Sequence, residues 1–213
     1  MPPRRAQGWA ERAEVRLREA RTERRELHGL RVSVVRDETY TDAAPLWAKV
    51  GEALDLVAAH RPVWIRSMRR LGVETVVERT PGTRARLVEG KTSILDAYFV
   101  AEFLPAQIAS SIVHEATHAR VRSRGIPNQP ATIAREERLC RASELRLGRA
   151  MLAAGVPGAD AVLARAEESL ALPDEQVAPA VDWRALRTAS ELARLDALGL
   201  PRWLTRWIAR RRG

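Results

Sequence analysis

The chain of 213 residues has little of several things that common protein classes need. It holds one cysteine, Cys140, which excludes an internal disulfide framework and any zinc module built on four thiolates or on two Cys and two His. A metal site would have to rest on imidazoles and carboxylates. Four histidines are available for it: His28, His60, His114 and His118. No Tyr or His follows His118. No run approaches the roughly 18 uninterrupted apolar residues of a membrane-spanning helix, and the opening stretch MPPRRAQGWAERAEVRLREA carries charges where a signal peptide has its apolar region. A soluble, cytoplasmic protein is expected.

With 46% hydrophobic and 30% charged residues, the chain can build a sizeable core and is too balanced for wholesale disorder. The net charge of +9 sits at the two ends. Residues 1–31 hold nine Arg and five Glu, residues 201–213 hold five Arg and no acid, and residues 32–200 are neutral overall. Of the 36 basic residues 34 are Arg, a bias in composition that solvated helix faces explain as well as phosphate contacts do.

Residues 9–28 mix Arg and Glu at helical spacing and read as an exposed or partly docked helix ending at His28-Gly29. Leu30–Arg36 alternates and is β-branched, which predicts a strand, and Asp42 is placed to cap a helix running to His60. A short helix to Leu71 follows. Three strands are then expected at Val73–Glu78, Thr83–Val88 and Ile94–Val100, separated by Pro81-Gly82 and Glu89-Gly90, hence an antiparallel meander. Beyond Leu104 the pattern is helical, with helices near 104–124, 131–154, 158–171, 182–198 and 201–211. This divides the chain into a charged N-terminal helix (1–29), a central α+β unit (30–157) and a helical C-terminal extension (158–213).

Residues 114–118 read His-Glu-Ala-Thr-His, the H-E-x-x-H pattern, inside a stretch that is helical on other grounds. On a helical wheel Ile108, Ile112, Ala116 and Ala119 form one face, and His114 and His118 share another. The i, i+4 spacing lets both Nε2 atoms address one ion, and Glu115 can reach water beside that ion without binding it. A catalytic zinc site needs a third protein ligand. The metzincin extension would demand Gly at 121 and His at 124, where Val121 and Arg124 stand. His28 and His60 fall at predicted helix ends, where capping and dipole roles are commoner. A downstream carboxylate is therefore favoured. The helix 131–154 offers Glu136, Glu137 and Glu144 beside an apolar stripe of Ile133, Cys140, Leu147 and Met151. If the two helices run antiparallel, a level near 116 meets one near 139. That favours Glu137 or Glu136 and leaves Glu144 about 10 Å further along, suited to an imidazole N–H or an Arg. Cys140, on the same face, reads as a small buried hydrophobe.

On these residues the stretch 30–154 resembles the gluzincins, and within them the small minigluzincins: a helix, an antiparallel sheet, the H-E-x-x-H helix, then a helix supplying Glu. The resemblance implies a zincin-like α+β fold and a zinc-dependent peptidase, with His114, His118 and Glu137 as Zn²⁺ ligands and Glu115 as general base. It also implies a peptide or protein substrate aligned by a sheet edge, for which Ile94-Leu95-Asp96-Ala97-Tyr98 is the candidate. Thermolysin-like members stabilise the oxyanion with a Tyr or His after the motif; here Arg141 or Tyr98 would take that place. Many gluzincins also carry an Asp four residues after the ligand Glu, which neither Glu136 nor Glu137 has.

A second reading from another class is a zinc-binding protein without proteolysis, whose site holds two helices together or senses a ligand. At the C-terminus Leu200, Trp203, Leu204, Trp207 and Ile208 recur on one helical face with Arg opposite. Such a helix docks on its own protein, or binds an anionic membrane, or joins 182–198 in a nucleic-acid-binding pair.

Overall fold

The structure, a computed structural model, describes residues 15–80, 82–126 and 130–177, with a few isolated positions outside them. The element order begins with helix α1 (residues 15–21), then β1 (Thr22–Leu27), β2 (Leu30–Val35), α2 (Ala44–His60), α3 (Pro62–Leu71) and β3 (Glu74–Glu78). It continues with β4 (Ala85–Val88), β5 (Thr92–Asp96), α4 (Ala97–Glu102), α5 (Pro105–Arg122), α6 (Pro130–Ala153), α7 (Ala159–Ala171) and α8 (Asp174–Val177). The fold is a mixed α+β arrangement of one five-stranded sheet and several helices. The helices expected over 182–198 and 201–211, with the amphipathic C-terminal face, lie outside the described residues. Among the described residues no helix is long and apolar enough to cross a membrane.

The sheet departs from the expected antiparallel meander. Its order is β1-β2-β3-β5-β4, with β2, β3 and β5 mutually parallel and only β1 and β4, at the two edges, antiparallel to their neighbours. Strand β5 inserts between β3 and β4, so the chain skips one position and folds back. Short strands separated by turn residues look alike whether neighbours in sequence pair or not, and only burial of Val76, Val77, Ile94 and Leu95 in the middle of the sheet decides the order. The segment 94–98 is accordingly no edge. Its first half is interior strand, and from Ala97 it turns into α4, where Phe99 and Val100 are buried and Tyr98 faces out. The edge strand nearest the helices is β4.

A second departure lies at the N-terminus. Residues 22–27, read as the end of a charged helix, form β1 instead, paired antiparallel with β2. The pairing Leu27↔Leu30 leaves a two-residue turn, His28-Gly29, with φ of 51° and 71°. Positive φ at both central positions is what a tight hairpin requires. A charged edge strand with no apolar alternation of its own takes its structure from the partner it pairs with.

The core lies between the sheet and the helices. Leu30, Val32 and Val34 of β2, Val77 and Leu95 point into it and meet Leu46, Val50, Leu54 and Val57 of α2. The other sheet face is covered more thinly, by Leu17 of α1 against Val35, Val76 and Ile94. Helix α5 packs against α2, α6 and α7 and is buried on nearly every side; Ile108, Ile112, Ala116 and Ala119 lie in the core as the wheel expected. Gly148 lets α7 approach α6 closely, because a Cβ there would come within 3.2 Å of Val162. Val162 and Ala166 of α7 are buried, so this helix completes the core behind the site.

Candidate metal centre

Two adjacent helices bring the titratable groups together. Pro105 opens α5 and the Gln107 side chain accepts a hydrogen bond from Leu104 N at 3.2 Å, fixing the helix start. Nine residues on, His114 and His118 lie one turn apart with their Nε2 atoms 3.0 Å from each other. Helix α6 comes back alongside and presents Glu136, Glu137, Cys140 and Glu144.

The carboxylate of Glu137 lies between the two imidazoles, with Oε2 3.4 Å from His114 Nε2 and Oε1 3.3 Å from His118 Nε2. The other ring nitrogens are also engaged. His114 Nδ1 is 2.5 Å from Glu144 Oε1, and His118 Nδ1 is 2.5 Å from Glu136 Oε1. Each imidazole is thus held from behind by a carboxylate that is itself buried, 3% exposed in both cases. The two Nε2 atoms lie within hydrogen-bond distance of each other and both face the Glu137 carboxylate. Glu144 also accepts Arg141 Nη1 at 2.9 and 3.0 Å, and Arg122 Nε approaches Glu136 at 3.7 Å.

His114, His118 and Cys140 form a buried group whose ligand atoms all lie within 4.8 Å of one another and could hold a metal ion. Cys140 is fully buried, as its reading as a small hydrophobe had it, and it is also a neighbour of both imidazoles. The signal that places it there is its position in the sequence, three residues after Glu137 and one turn from it along α6. His28 and His60 take no part. His28 Nε2 bonds Asp55 at 2.6 Å at the hairpin turn, and His60 closes α2.

Burial opposes charge on these rings, yet the carboxylates win. For His114, desolvation is outweighed by hydrogen bonds to Glu137 and Glu144, and its pKa rises to about 10. For His118 the bonds to Glu136 and Glu137 have the same result, again to about 10. Burial alone would push Glu137 up, but the two imidazoles hold it far below the usual carboxylate range. Glu115 is different. Burial raises its pKa in spite of the two imidazoles, and among the described residues it makes no hydrogen bond or ion pair. Burial also pushes the Cys140 thiol up, which keeps it protonated.

These shifts set the pH behaviour of the metal-free protein. The imidazoles have a higher pKa folded than the 6.5 of a free histidine, so their contribution to stability is complete below about pH 6.5 and disappears as the pH rises through about 10. Thermal denaturation of chelator-treated protein should therefore show a midpoint that falls between pH 6.5 and 10. A metal must displace the same protons, so its affinity should climb across that range. A midpoint that is flat or rising over this interval contradicts the pairing described.

The site opens into two cavities. The larger, about 630 Å³, lies between β4 and helices α5 and α6, and Leu87, Val88 and Ile133 supply its apolar wall. The smaller, about 300 Å³, lies beyond the start of β4. His114 and Glu115 line both. Comparison with protein-family models, curated proteins and solved structures returns no match to this chain.

Proposed function

We propose that this chain is a zinc-dependent peptidase of the gluzincin type, in which His114, His118 and Glu137 hold the metal and Glu115 is the general base. One observation carries the reading. Two imidazoles from an H-E-x-x-H helix bring their Nε2 atoms within 3.0 Å of each other, a carboxylate from the next helix lies against both, and a separate buried carboxylate orients each ring. Ring orientation of this kind accompanies histidines that bind metals. The donor set of two nitrogens and a carboxylate is that of a catalytic zinc site with a position left for substrate. Zinc so held would polarise the scissile carbonyl as a Lewis acid.

The rest belongs to the chain. Glu115, buried, with its pKa raised and facing both cavities, takes a proton from the attacking water and delivers it to the nitrogen of the departing amine. The new C–O bond replaces the C–N bond, and the carboxylate returns to its starting state. Strand β4 is the sheet edge beside the site, and an extended peptide can add to it by main-chain hydrogen bonds, with side chains resting on Leu87, Val88 and Ile133. The role that the resemblance gave to 94–98 thus passes to Ala85–Val88.

A second reading, a metal site without proteolysis, draws on Cys140. If its thiol joins the two imidazoles and Glu137, four protein ligands close the site and the metal holds α5 to α6. One experiment separates the two. The purified protein should contain about one zinc per chain by elemental analysis and hydrolyse an unstructured polypeptide such as casein; chelation should stop hydrolysis, and added Zn²⁺ should restore it. Metal without hydrolysis favours the closed site, and protein that neither contains nor takes up zinc overturns both.

A further inference from the structure

The smaller cavity is lined by three arginines from three different elements: Arg84 just before β4, Arg141 on α6 and Arg165 on α7. Two acids face the same space. Glu144 is committed to His114 Nδ1 and to Arg141, and Glu115 is the residue assigned to proton transfer. Arg141 Nε is buried and meets no acceptor among the described residues. The Arg84 guanidinium lies over Phe103 at 4.9 Å and Phe99 at 5.7 Å. Neither Arg84 nor Arg165 has an ionic partner among the described residues. Partial burial, and then the charges of Arg141 and Arg84, lower the pKa of Arg165 and outweigh the opposing pull of Glu144, so the cavity keeps an excess of positive charge. Converging guanidinium groups suit a carboxylate, which they bind through paired N–H donors.

The position of this cavity along β4 assigns the carboxylate to one end of a substrate. The strand runs from Ala85, beside the arginines, to Val88, in the larger cavity. A peptide adding antiparallel, the more stable pairing, has its N-terminal part near Val88 and its C-terminal part near Ala85. Resting on the peptidase reading above, we propose that the arginine cavity binds a carboxylate on the C-terminal side of the scissile bond. That group is either the free α-carboxylate of a short peptide end or an acidic side chain, and Arg165 is a specificity-determining residue. The enzyme would then remove short C-terminal pieces, or cut before acidic residues, in place of cleaving chains at random.

Binding tests this without requiring turnover. Zinc-loaded full-length Glu115→Gln protein is titrated with three fluorescently labelled alanine-phenylalanine pentapeptides: a free C-terminal acid, the same peptide as carboxamide, and a carboxamide with Glu as its last residue. Expected is at least ~10-fold tighter binding of the free acid than of the plain carboxamide, the size of a charge-assisted contact. Tight binding of the Glu-bearing carboxamide as well would identify an acidic side chain as an accepted source. Adding Arg165→Gln, on an exposed part of α7, should erase the preference with zinc content unchanged, and Arg165→Lys should keep part of it. Equal or absent binding of all three peptides overturns the proposal, as does a preference that Arg165→Gln leaves intact. Cleavage by the wild-type protein is scored separately. Acid-selective binding without cleavage keeps the cavity assignment and removes the peptidase reading; cleavage indifferent to the carboxylate does the reverse.

Discussion

Replacing Glu115 by Gln should lower kcat for peptide hydrolysis by about 10²- to 10⁴-fold, the usual contribution of a positioned general base, while zinc content stays at the wild-type level. The two halves of this expectation rest on different features. Glu115 lies next to His114 in sequence, but the contacts that orient the rings come from Glu136, Glu137 and Glu144 on α6, and among the described residues its own carboxylate makes none. An amide of the same size therefore disturbs neither the rings nor the packing, and removes only the group that accepts a proton. Activity and metal are measured on the same preparation. Undiminished hydrolysis would refute the assignment of the base. Loss of zinc together with activity would show that the buried side chain supports the fold of the site and would leave its chemistry to another residue.

The second large effect concerns the third ligand. Glu137→Ala should weaken zinc binding by more than ~100-fold, beyond the loss typical of an outer carboxylate, whereas Cys140→Ala should leave it within a few-fold of wild type. The reasons are distance and protonation. Glu137 places one oxygen within 3.4 Å of each Nε2 atom and is held ionised by the imidazoles. Cys140 belongs to a group within 4.8 Å, but burial raises its thiol pKa in the metal-free protein, so its binding would cost a further proton that the already ionised Glu137 does not have to give up. Competition titration with a chromophoric chelator measures both variants. The opposite result, with Cys140 indispensable and Glu137 dispensable, would describe a thiolate site and weaken the case for catalysis.

The orienting carboxylates also bear on how the site is built. The sequence lacks an Asp four residues after Glu136 or Glu137, yet both imidazoles are oriented. Glu136, immediately before Glu137, reaches His118, and Glu144, two turns further along α6, reaches His114. Three glutamates on one helix face thus serve one pair of histidines, and this explains acids beside the apolar stripe of Cys140, Leu147 and Met151. A buried carboxylate without such a partner would be costly. The arginine that bonds Glu144, Arg141, extends the network into the smaller cavity and links metal orientation to the surface proposed to meet the substrate.

Local pattern determined a good deal of this protein. The limits of α2, α5 and α6 follow from Pro, Gly and apolar period, and the His-Glu-Ala-Thr-His spacing put two imidazoles on one helix face. The same spacing along α6 placed Glu137 near the level of the histidines. These features were legible because a helix fixes the relative directions of residues three and four apart through its own hydrogen bonds, independent of its surroundings. What needed the tertiary structure was everything between elements. The charged stretch 22–27 is a strand only because β2 lies beside it, and β5 is an interior strand because its apolar residues must be covered on both faces. The boundary between Asp96 and Ala97, where β5 gives way to α4, could not be located from a β-branched and aromatic run that suits either state. The convergence of Arg84, Arg141 and Arg165 was likewise invisible, since these residues stand 57 and 24 positions apart along the chain. Sheet order and the meeting of distant side chains depend on which buried surfaces fit together in the whole molecule, and no short window of sequence contains that information.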